Sequence, residues 1–278
     1  MEINILGSGG LNPPPRPGCQ CRVCVEAREN GYPARRSGHS LFMPEESALF
    51  CAPEEVSSQL NREAVDLVEH LFLPAWRAEY LHGIGFLERI NYDMMIDSAI
   101  WKPVNIYLPG LPADDHYFYN LLKRYEEYLG IVRLIPMTNC SLIEIGRLKV
   151  LPVRFDLEDC FYFVVYDNSH KIVYIPSRYK AFTMVSEALN PDYLIVACHF
   201  WRNRRINKRP MVNFELRENQ VSFEDTLEDA RALQADKLIV THIEEDFGMT
   251  FHELRKLPGL FYPGFDIEFA WDGMRLPR

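Results

Sequence analysis

The chain has 278 residues, of which 47% are hydrophobic and 13% are aromatic, so it can bury a large core as one domain or as two small ones. Its formal net charge of −9 argues against broad binding to nucleic acids or membrane surfaces, because an acidic surface is not attracted to phosphate groups. No apolar run reaches the roughly 20 residues that span a bilayer, and residues 1–6 lack the features of a signal peptide, so we expect a cytoplasmic protein.

The N-terminal part of the chain is predicted to form short strands separated by loops. Residues 2–6 alternate between polar and apolar side chains and stop at the glycines of residues 7–10, which is typical of a strand followed by a turn. Residues 12–18 are rich in proline, which lacks an amide donor and fixes φ, so a loop is expected there. The elements predicted next are a short helix at 25–29, extended chain at 35–43, a strand at 48–52 and a helix at 54–69.

The middle of the chain begins with a strand that ends at Leu71–Leu73, followed by a polar loop and by a helix that carries Gly83 and ends near Ile90. A strand is then predicted at 104–108, and an aromatic-rich amphipathic helix at 114–129 ends at Gly130. Consecutive strands follow at 132–135, 142–145, 148–153, 160–166 and 172–175, with a hairpin turn at 167–170 between the last two.

The C-terminal part alternates between helices and strands. Its predicted elements are a helix at 180–189, a buried strand at 193–197, a helix at 223–233 capped by Ser222, a buried strand at 237–240, a helix at 251–257, and a terminal hairpin made of 265–269 and 274–276. Two blocks of consecutive strands within an α/β pattern predict two sheets placed between helices. No repeat or low-complexity linker divides the chain, so residues 1–278 are predicted to form a single domain.

Three of the seven cysteines, Cys19, Cys21 and Cys24, lie within six residues of one another. Without an export signal, an odd number of cysteines favours a metal site over a disulfide framework. Three thiolates at this spacing can converge on one tetrahedral zinc ion, with a fourth ligand from elsewhere in the chain. The alternative is three incidental thiols beside a proline-rich loop. The other four cysteines are predicted to be buried core thiols, and they are Cys51, Cys140, Cys160 and Cys198.

Several separated segments resemble one branch of the metallo-β-lactamase superfamily, which contains the phosphonate-pathway cyclic phosphodiesterase and the pyrroloquinoline-quinone biosynthesis protein. The order and spacing of these segments carry the resemblance. They are the glycine turn at 6–10, the cysteine segment at 18–24, Arg35, Arg36 and Ser40, the Val-Thr-His-Ile segment at 240–243, and the ending at 263–269 with 272–274. The resemblance implies an α/β protein with the αββα sandwich of this superfamily, in which two mixed β-sheets are flanked by helices.

The resemblance also implies how the zinc site is completed. In the family, a histidine three residues after that of the Val-Thr-His-Ile segment is the fourth ligand, and in this chain that position is Glu245. A carboxylate can bind zinc, so Glu245 is the candidate, and Asp246 and His252 are substitutes. Such a structural ion would tie a loop at 14–37 to the C-terminal region without taking part in chemistry.

At the catalytic site, few of the family's metal-ligand positions hold a residue that could bind a metal in this chain. Aligned on Gly83, the His-x-His-x-Asp-His positions of the family fall at Ala75, Arg77, Glu79 and Tyr80. The remaining family ligands fall at about Phe155, with Asp156 beside it, at about Ser177, and at His242, and the proton-donating histidine falls near Gln220. The catalytic candidates are therefore His242, Glu79 and Asp156, which are too few for two metals, and Arg77 would repel a metal ion.

The loss of these metal ligands suggests that guanidinium groups hold an anion where metal ions would otherwise do so. The ligand-binding candidates are Arg77, Tyr80, Arg178 and His199. The alternative is that Arg77 simply pairs with Glu79, or Arg178 with a nearby carboxylate. Further polar or aromatic side chains expected at the same rim are Trp76, His82, Arg154, Glu158, Asp159, Tyr179, Trp201 and Arg202. A basic cluster at 201–210 could steer an anion or a partner to this rim.

Three functions follow from this pattern. The first is a non-hydrolytic binding or accessory protein with one structural zinc ion and no second metal, whose partner is a small anionic molecule or a protein, and which could form a homodimer. The second is an enzyme with a remodelled site that acts on a small anionic, phosphate-containing substrate, either with one metal at Glu79, Asp156 and His242 or without metal. The third, an ordinary dinuclear phosphodiesterase, is nearly excluded by the missing ligands.

Overall fold

The computed structural model describes residues 1–110, 116–155, 160–176, 183–202 and 221–276. These residues form two mixed seven-stranded β-sheets flanked by helices, together with a small separate two-stranded sheet. Each large sheet has three antiparallel strand pairs followed by three parallel pairs. Within these ranges, no helix has the length and apolarity needed to cross a bilayer.

The first sheet is built mostly from the N-terminal half of the chain. In spatial order its strands are β16 (Met274–Leu276), β1 (Ile3–Gly7), β2 (Ser40–Met43), β3 (Ala48–Phe50), β4 (His70–Phe72), β7 (Val104–Leu108) and β8 (Val132–Pro136). The small sheet pairs β5 (Tyr92–Asp93) with β6 (Ser98–Ala99).

The second sheet comes from the C-terminal half. In spatial order its strands are β15 (Ile267–Phe269), β14 (Lys237–Thr241), β13 (Tyr193–Ala197), β12 (Lys171–Ile175), β11 (Phe161–Tyr166), β10 (Leu148–Arg154) and β9 (Ile143–Ile145). The described α-helices are α1 (Arg22–Asn30), α2 (Val56–Arg62), α3 (Ala78–Leu81), α4 (Phe86–Asn91), α5 (Tyr117–Arg124), α6 (Phe223–Ala232) and α7 (Phe251–Phe261). As predicted, Ser222 caps α6, since its hydroxyl accepts a hydrogen bond from the amide of Asp225.

The core lies between the two large sheets and is rich in aromatic rings. Phe50 and Phe72 stack with their ring centroids 4.7 Å apart in the first sheet. Both meet Phe163 of the second sheet edge-on, at 5.2 Å and 5.8 Å. All three rings are fully buried, and each such pair adds roughly 0.5–1.5 kcal/mol beyond the burial of apolar area. These contacts hold the two sheets together face to face.

Buried polar side chains join the glycine turn, the segment before β2 and the C-terminal crossing. This crossing is the segment between β15 and β16, where the chain passes from the second sheet to the first. Asp272 accepts hydrogen bonds from the amide and hydroxyl of Ser8 at 2.9 Å and 2.8 Å, and from the amide and hydroxyl of Ser37 at 2.8 Å and 2.5 Å. Arg36 donates to the Ser8 hydroxyl at 2.7 Å and also to the carbonyl of Ala270. We call Ser8, Arg36, Ser37 and Asp272 the polar staple. It fixes three segments that are distant in sequence.

Four predictions on local structure were wrong. The strands predicted as a terminal hairpin belong to different sheets, because β15 runs parallel to β14 while β16 pairs with β1. The helix predicted at 54–69 ends at Arg62, since Ala64 adopts a left-handed φ of 53°. Of the helix predicted at 180–189, residues 180–182 lie outside the described ranges, and the rest forms only a 3-10 turn at Ser186–Ala188. Cys140 is exposed in a turn, whereas the other three isolated cysteines are buried as predicted.

Candidate functional site

The predicted site residues lie where strands of both large sheets end. Arg77, Glu79 and Tyr80 follow β4, and Glu79 and Tyr80 belong to α3. His199 and His242 follow the parallel strands β13 and β14 of the second sheet. Ligand sites of open α/β sheets form at such carboxyl ends. The structure therefore brings together Glu79, His199 and His242, because the ring of His242 lies 5.3 Å from that of His199 and its Nε2 lies 3.5 Å from Glu79.

A chain of ion pairs runs through the positions at which the family resemblance places metal ligands. Arg77 Nη1 lies 3.9 Å from Glu79 Oε1, and Glu79 Oε2 lies 3.5 Å from His242 Nε2. On its other side, His242 Nδ1 lies 3.4 Å from Glu244 Oε1. Glu244 is held in turn by the amides of Leu11 and Asn12, at 2.9 Å and 2.7 Å. We call Arg77, Glu79, His242 and Glu244 the ion-pair chain.

The electrostatics of the ion-pair chain favour a charged pair at its centre. Burial alone would raise the pKa of Glu79, but its contact with His242 and the charge of that residue outweigh this effect and lower the pKa to about 2. For His242, burial disfavours the imidazolium, yet contact with Glu79 and the nearby Glu244 outweigh it and raise the pKa. The distances of 3.4–3.5 Å from His242 to these carboxylates are long for hydrogen bonds. The interaction is therefore mainly one of charge.

His39 is a member of the site that the sequence patterns do not reveal. It lies just before β2, is 1% exposed, and its Nε2 atom has no hydrogen-bond partner among the described residues. Its ring lies 4.8 Å from that of His242 and edge-on to Tyr80 at 5.3 Å. Burial is the main cause that lowers the pKa of His39 to about 3, so its imidazole is neutral. The only signal in the sequence is a histidine between Gly38 and the first residue of a buried strand.

The backbone around His242 is tightly constrained. His242 adopts a left-handed φ of 59°, which is strained for a residue other than glycine and costs roughly 1–3 kcal/mol. Gly10 packs directly against it, because a Cβ atom at this position would lie 2.2 Å from Glu244 Oε1 and 2.4 Å from His242 Nδ1. A glycine at position 10 is thus required to let the ion-pair chain form.

Other residues predicted for the rim have structural contacts elsewhere. Trp201 is 3% exposed and packs against Phe247 with their rings 4.3 Å apart, so it belongs to the core. Arg202 donates from Nε to the hydroxyl of Ser222 at 2.8 Å and pairs with Asp225, both at the N-terminus of α6. Trp76 donates to the carbonyl of Gly110 at 2.9 Å. His82 and Arg154 are exposed.

Some predictions fall on residues whose structure is not described. They are Asp156, Ser177, Arg178, Glu158, Asp159, Tyr179, Gln220 and the part of the basic cluster from 203 to 210. Phe155, by contrast, is described and is a buried core residue at 2% exposure.

The charge state of the ion-pair chain predicts a pH window for its contribution to stability. Glu79 has a folded-state pKa below its usual value near 4.5, so its contribution is present above pH ~4.5 and is lost as the pH falls toward 2. His242 has a raised pKa, so its contribution is present below pH ~6.5 and is lost as the pH rises through the folded-state value. The pair should therefore stabilise the fold most between about pH 4.5 and 6.5.

This window can be measured by urea unfolding of the wild-type chain and of Glu79→Gln across pH 4–9. The charged groups that face the pair are Arg77 and Glu244, with His39 and His199 beside them. We expect the free energy of unfolding to differ most inside the window, by roughly 1–3 kcal/mol, because Glu79→Gln leaves His242 without its carboxylate partner. A difference that is constant with pH would contradict the charged pair.

The cysteine segment forms a second cluster, about the start of α1. Cys21 is the N-cap residue of this helix and Cys24 lies in its first turn. Glu245, which is fully buried, reaches Cys21 Sγ at 2.9 Å and Cys19 Sγ at 3.6 Å. The four ligand atoms of Cys19, Cys21, Cys24 and Glu245 lie within 4.8 Å of one another. In the described part of the chain, this is the group of three or more histidine, cysteine or acidic side chains that is compact enough to hold a metal.

The donor set fits a structural zinc ion. Three sulfurs and one carboxylate oxygen make a tetrahedral set, and bond lengths near 2.0–2.3 Å place such donors about 3.5–3.8 Å apart, so only small shifts are needed. Arg16 supports the cluster from outside, since its Nη1 lies 3.6 Å from Glu245 Oε2 and its amide donates to Cys24 Sγ at 3.3 Å. A bound cation would stabilise a buried carboxylate beside three thiols. Asp246 and His252 do not belong to this group.

The whole fold was compared with solved structures. A diphosphatase from the PhnP family superposes with a TM-score of 0.72 and 18% identity over 99% of this chain and 97% of that chain. Zinc-bound PqqB from Methylobacterium extorquens gives 0.72 and 14% over all of both chains. The metallo-β-lactamase fold protein YhfI from Bacillus subtilis gives 0.68 and 14% over 99% of this chain and 98% of that chain.

The chain has the metallo-β-lactamase fold. The predicted α/β architecture with two mixed sheets flanked by helices is thereby confirmed. No protein-family model matches the sequence, and no curated protein matches it. At these identities the metallo-β-lactamase fold itself is what the chain shares with the three structures. Function must therefore be argued from its own residues.

Proposed function

We propose that this chain is a non-hydrolytic binding or accessory protein of the metallo-β-lactamase fold, in which protein charges replace a dinuclear metal site and one structural zinc ion is bound by Cys19, Cys21, Cys24 and Glu245. The proposal takes residues 1–278 as one domain, with the zinc-binding loop at 14–37. Its ligand is a small anionic molecule at the site of Arg77, Tyr80, His199 and His242. The further candidate from the sequence, Arg178, lies outside the described residues.

The ion-pair chain is the observation that carries this proposal. A dinuclear hydrolase needs several imidazoles and carboxylates around both metals, together with a bridging hydroxide. Here Glu79 and His242 are paired with each other, and Arg77 Nη1 lies 3.9 Å from the carboxylate that a metal would need. The cations Arg77 and His242 take the electrostatic place of metal ions beside Glu79 and Glu244. A metal ion at this point would have to displace two protein cations.

The nature of the ligand follows from the chemistry of Arg77. Its side chain is 30% exposed, so it reaches solvent from within the site. A guanidinium presents several N–H donors in a planar fork, enough to bind a carboxylate and a phosphate or second carboxylate at the same time. Arg77 can therefore pair with Glu79 and bind an anion at the same time, although the sequence presents these two roles as alternatives.

Metal analysis and anion binding test the proposal together. We expect about one zinc ion per chain, no metal-dependent hydrolysis of a phosphodiester above the buffer rate, and binding of inorganic phosphate or a nucleotide measured by calorimetry. Arg77→Met should weaken this binding about 10- to 100-fold, because a charge-assisted hydrogen bond contributes roughly 1.5–3 kcal/mol. Arg231→Met, which removes an exposed arginine on α6, is the matched control and should leave the affinity unchanged.

Three metal ions per chain together with phosphodiesterase activity would contradict the proposal. If wild type and Arg77→Met bound phosphate equally well, Arg77 would not belong to the ligand site. The conclusion that one zinc ion is bound per chain would not be affected.

A second candidate function is an enzyme with a remodelled site acting on a small anionic, phosphate-containing substrate. The observation that favours it is the neutral His39, whose ring lies 4.8 Å from the ring of His242, the residue with a raised pKa. A neutral imidazole beside one whose pKa is raised is a pair of groups whose environments separate a proton acceptor from a proton donor. A version that uses one metal at Glu79, Asp156 and His242 predicts a second ion per chain in the same metal analysis.

A further inference from the structure

The small sheet carries a group of exposed apolar side chains. Its hairpin, made by β5, β6 and the turn between them, continues to Trp101. The side chains and their exposed fractions are Met94 at 82%, Met95 at 92%, Ile96 at 66%, Ile100 at 47% and Trp101 at 54%. We call these five residues the apolar hairpin. Contiguous exposed apolar side chains of this kind mark interaction surfaces on soluble proteins.

The base of the apolar hairpin is firmly held by Asn91. This residue is 1% exposed, and its side-chain amide donates to the carbonyls of Lys102 and Ile131 at 3.0 Å and 3.1 Å. Its side-chain oxygen accepts from the amide of Trp101 at 2.7 Å, and its own carbonyl accepts from Ile100 at 3.0 Å. The hairpin is thus presented in one orientation, which lowers the entropic cost of docking.

A cavity of about 470 Å³ opens beside the hairpin, at the starts of β4, β7 and β8. Trp101, Leu67 and Pro103 give it an apolar wall. Lys102 and Arg133 place two positive charges on its rim, against the single carboxylate of Glu69. The hairpin carries the opposite charge, since Asp93 and Asp97 flank its apolar turn. The same molecule therefore displays a protruding apolar element with acidic flanks and, next to it, a recess with an apolar wall and basic residues.

We propose that a second copy of this chain binds here, so that the apolar hairpin of each molecule enters the cavity of the other around a two-fold axis. Complementary elements that lie side by side on one chain are what an isologous contact requires. The five exposed side chains offer on the order of 600–700 Å² per molecule, close to the roughly 800 Å² per partner of a standard interface. Asp97 of one molecule would then face Lys102 or Arg133 of the other.

A lipid surface fits this element less well than a second copy. Asp93 and Asp97 lie on either side of the apolar turn, and the anionic headgroups of a membrane would repel them. A flat bilayer would also leave the cavity unfilled, whereas the hairpin of a second copy fills it. Neither feature depends on the zinc ion or on the ion-pair chain, so this inference stands apart from the proposed function.

The first test is the mass of the full-length protein in solution, measured by sedimentation at several concentrations. The wild-type chain should have twice the chain mass of 32.5 kDa at about 10 µM. Met95→Glu should give the monomer mass, because it places a charge in the buried centre of the contact. Leu260→Glu alters a side chain of similar type that is 72% exposed on α7, and it should remain a dimer.

The second test exchanges the charges. Asp97→Lys and Lys102→Glu should each raise the dissociation constant at least about tenfold, and the double variant should restore most of the affinity, since the pair is re-formed with opposite signs. A wild-type chain that stays monomeric at about 100 µM would overturn the proposal. A dimer that Met95→Glu leaves intact would overturn it too, as would a monomer that sediments with phosphatidylserine vesicles through this hairpin.

Discussion

Replacement of Cys21 by serine is expected to lower the metal content of the purified protein from about one zinc ion per chain to nearly none. Cys21 Sγ lies 2.9 Å from Glu245 Oε1 at the centre of the cluster, and serine is a poor ligand for zinc. An ion bound at a thousand times its dissociation constant contributes about 4 kcal/mol to the free energy of unfolding. The melting temperature should therefore fall by on the order of 10 °C, measured by calorimetry alongside metal analysis.

The chain offers matched controls for this experiment. Cys140→Ser changes an exposed cysteine outside the cluster and should keep both the zinc ion and the melting temperature. Glu245→His should also retain the ion, because imidazole is a good zinc ligand, whereas Glu245→Ala should bind it far more weakly. If Cys21→Ser kept a full equivalent of zinc, the ion would have to be bound elsewhere.

Asp272→Asn is expected to destabilise the fold by roughly 3–5 kcal/mol, because it disrupts the polar staple in a buried place. The carboxylate accepts hydrogen bonds from Ser8 and Ser37 through both of its oxygens. An amide would turn an NH₂ group toward two of these donors and would leave the buried Arg36 with less compensating charge. Urea unfolding followed by circular dichroism measures the loss.

Asp266→Asn is the control for this variant. Its carboxylate is 63% exposed and lies 3.8 Å from Lys237, which makes a surface ion pair. Such pairs contribute at most about 1 kcal/mol. If the two variants lost the same free energy, the four hydrogen bonds of Asp272 would not be what holds the C-terminal crossing in place.

The strands of the core could be predicted well because each is a run of apolar residues bounded by turn residues. The strands at 104–108 and 193–197 were predicted at their observed bounds, since buried parallel strands are apolar on both faces. The partners of strands were not predictable in the same way. Residues 265–269 and 274–276 look like a hairpin because they are close in sequence, but the crossing at Asp272 sends them to different sheets.

The two candidate sites differ in how much their sequences reveal. Spacing alone brings the three cysteines together, and the family resemblance then names Glu245, which the structure places within 4.8 Å of them. The ion-pair chain depends on long-range packing instead. His39 carries no motif and approaches His242 only because β2 and β14 belong to sheets that face each other. Trp201 follows a strand end as the other candidates do, yet its ring turns into the core.

The pairing of β1 with β16 has a consequence for the order in which the protein folds during synthesis. Ser8 and Asp272, which the polar staple joins, are 264 positions apart in the chain. The first sheet is encoded early, but its outermost strand leaves the ribosome after every strand of the second sheet. Domains that depend on such distant contacts fold slowly and expose unpaired strand edges while they wait. The N-terminal strands must therefore remain only partly stabilised until residues 272–276 have been synthesised.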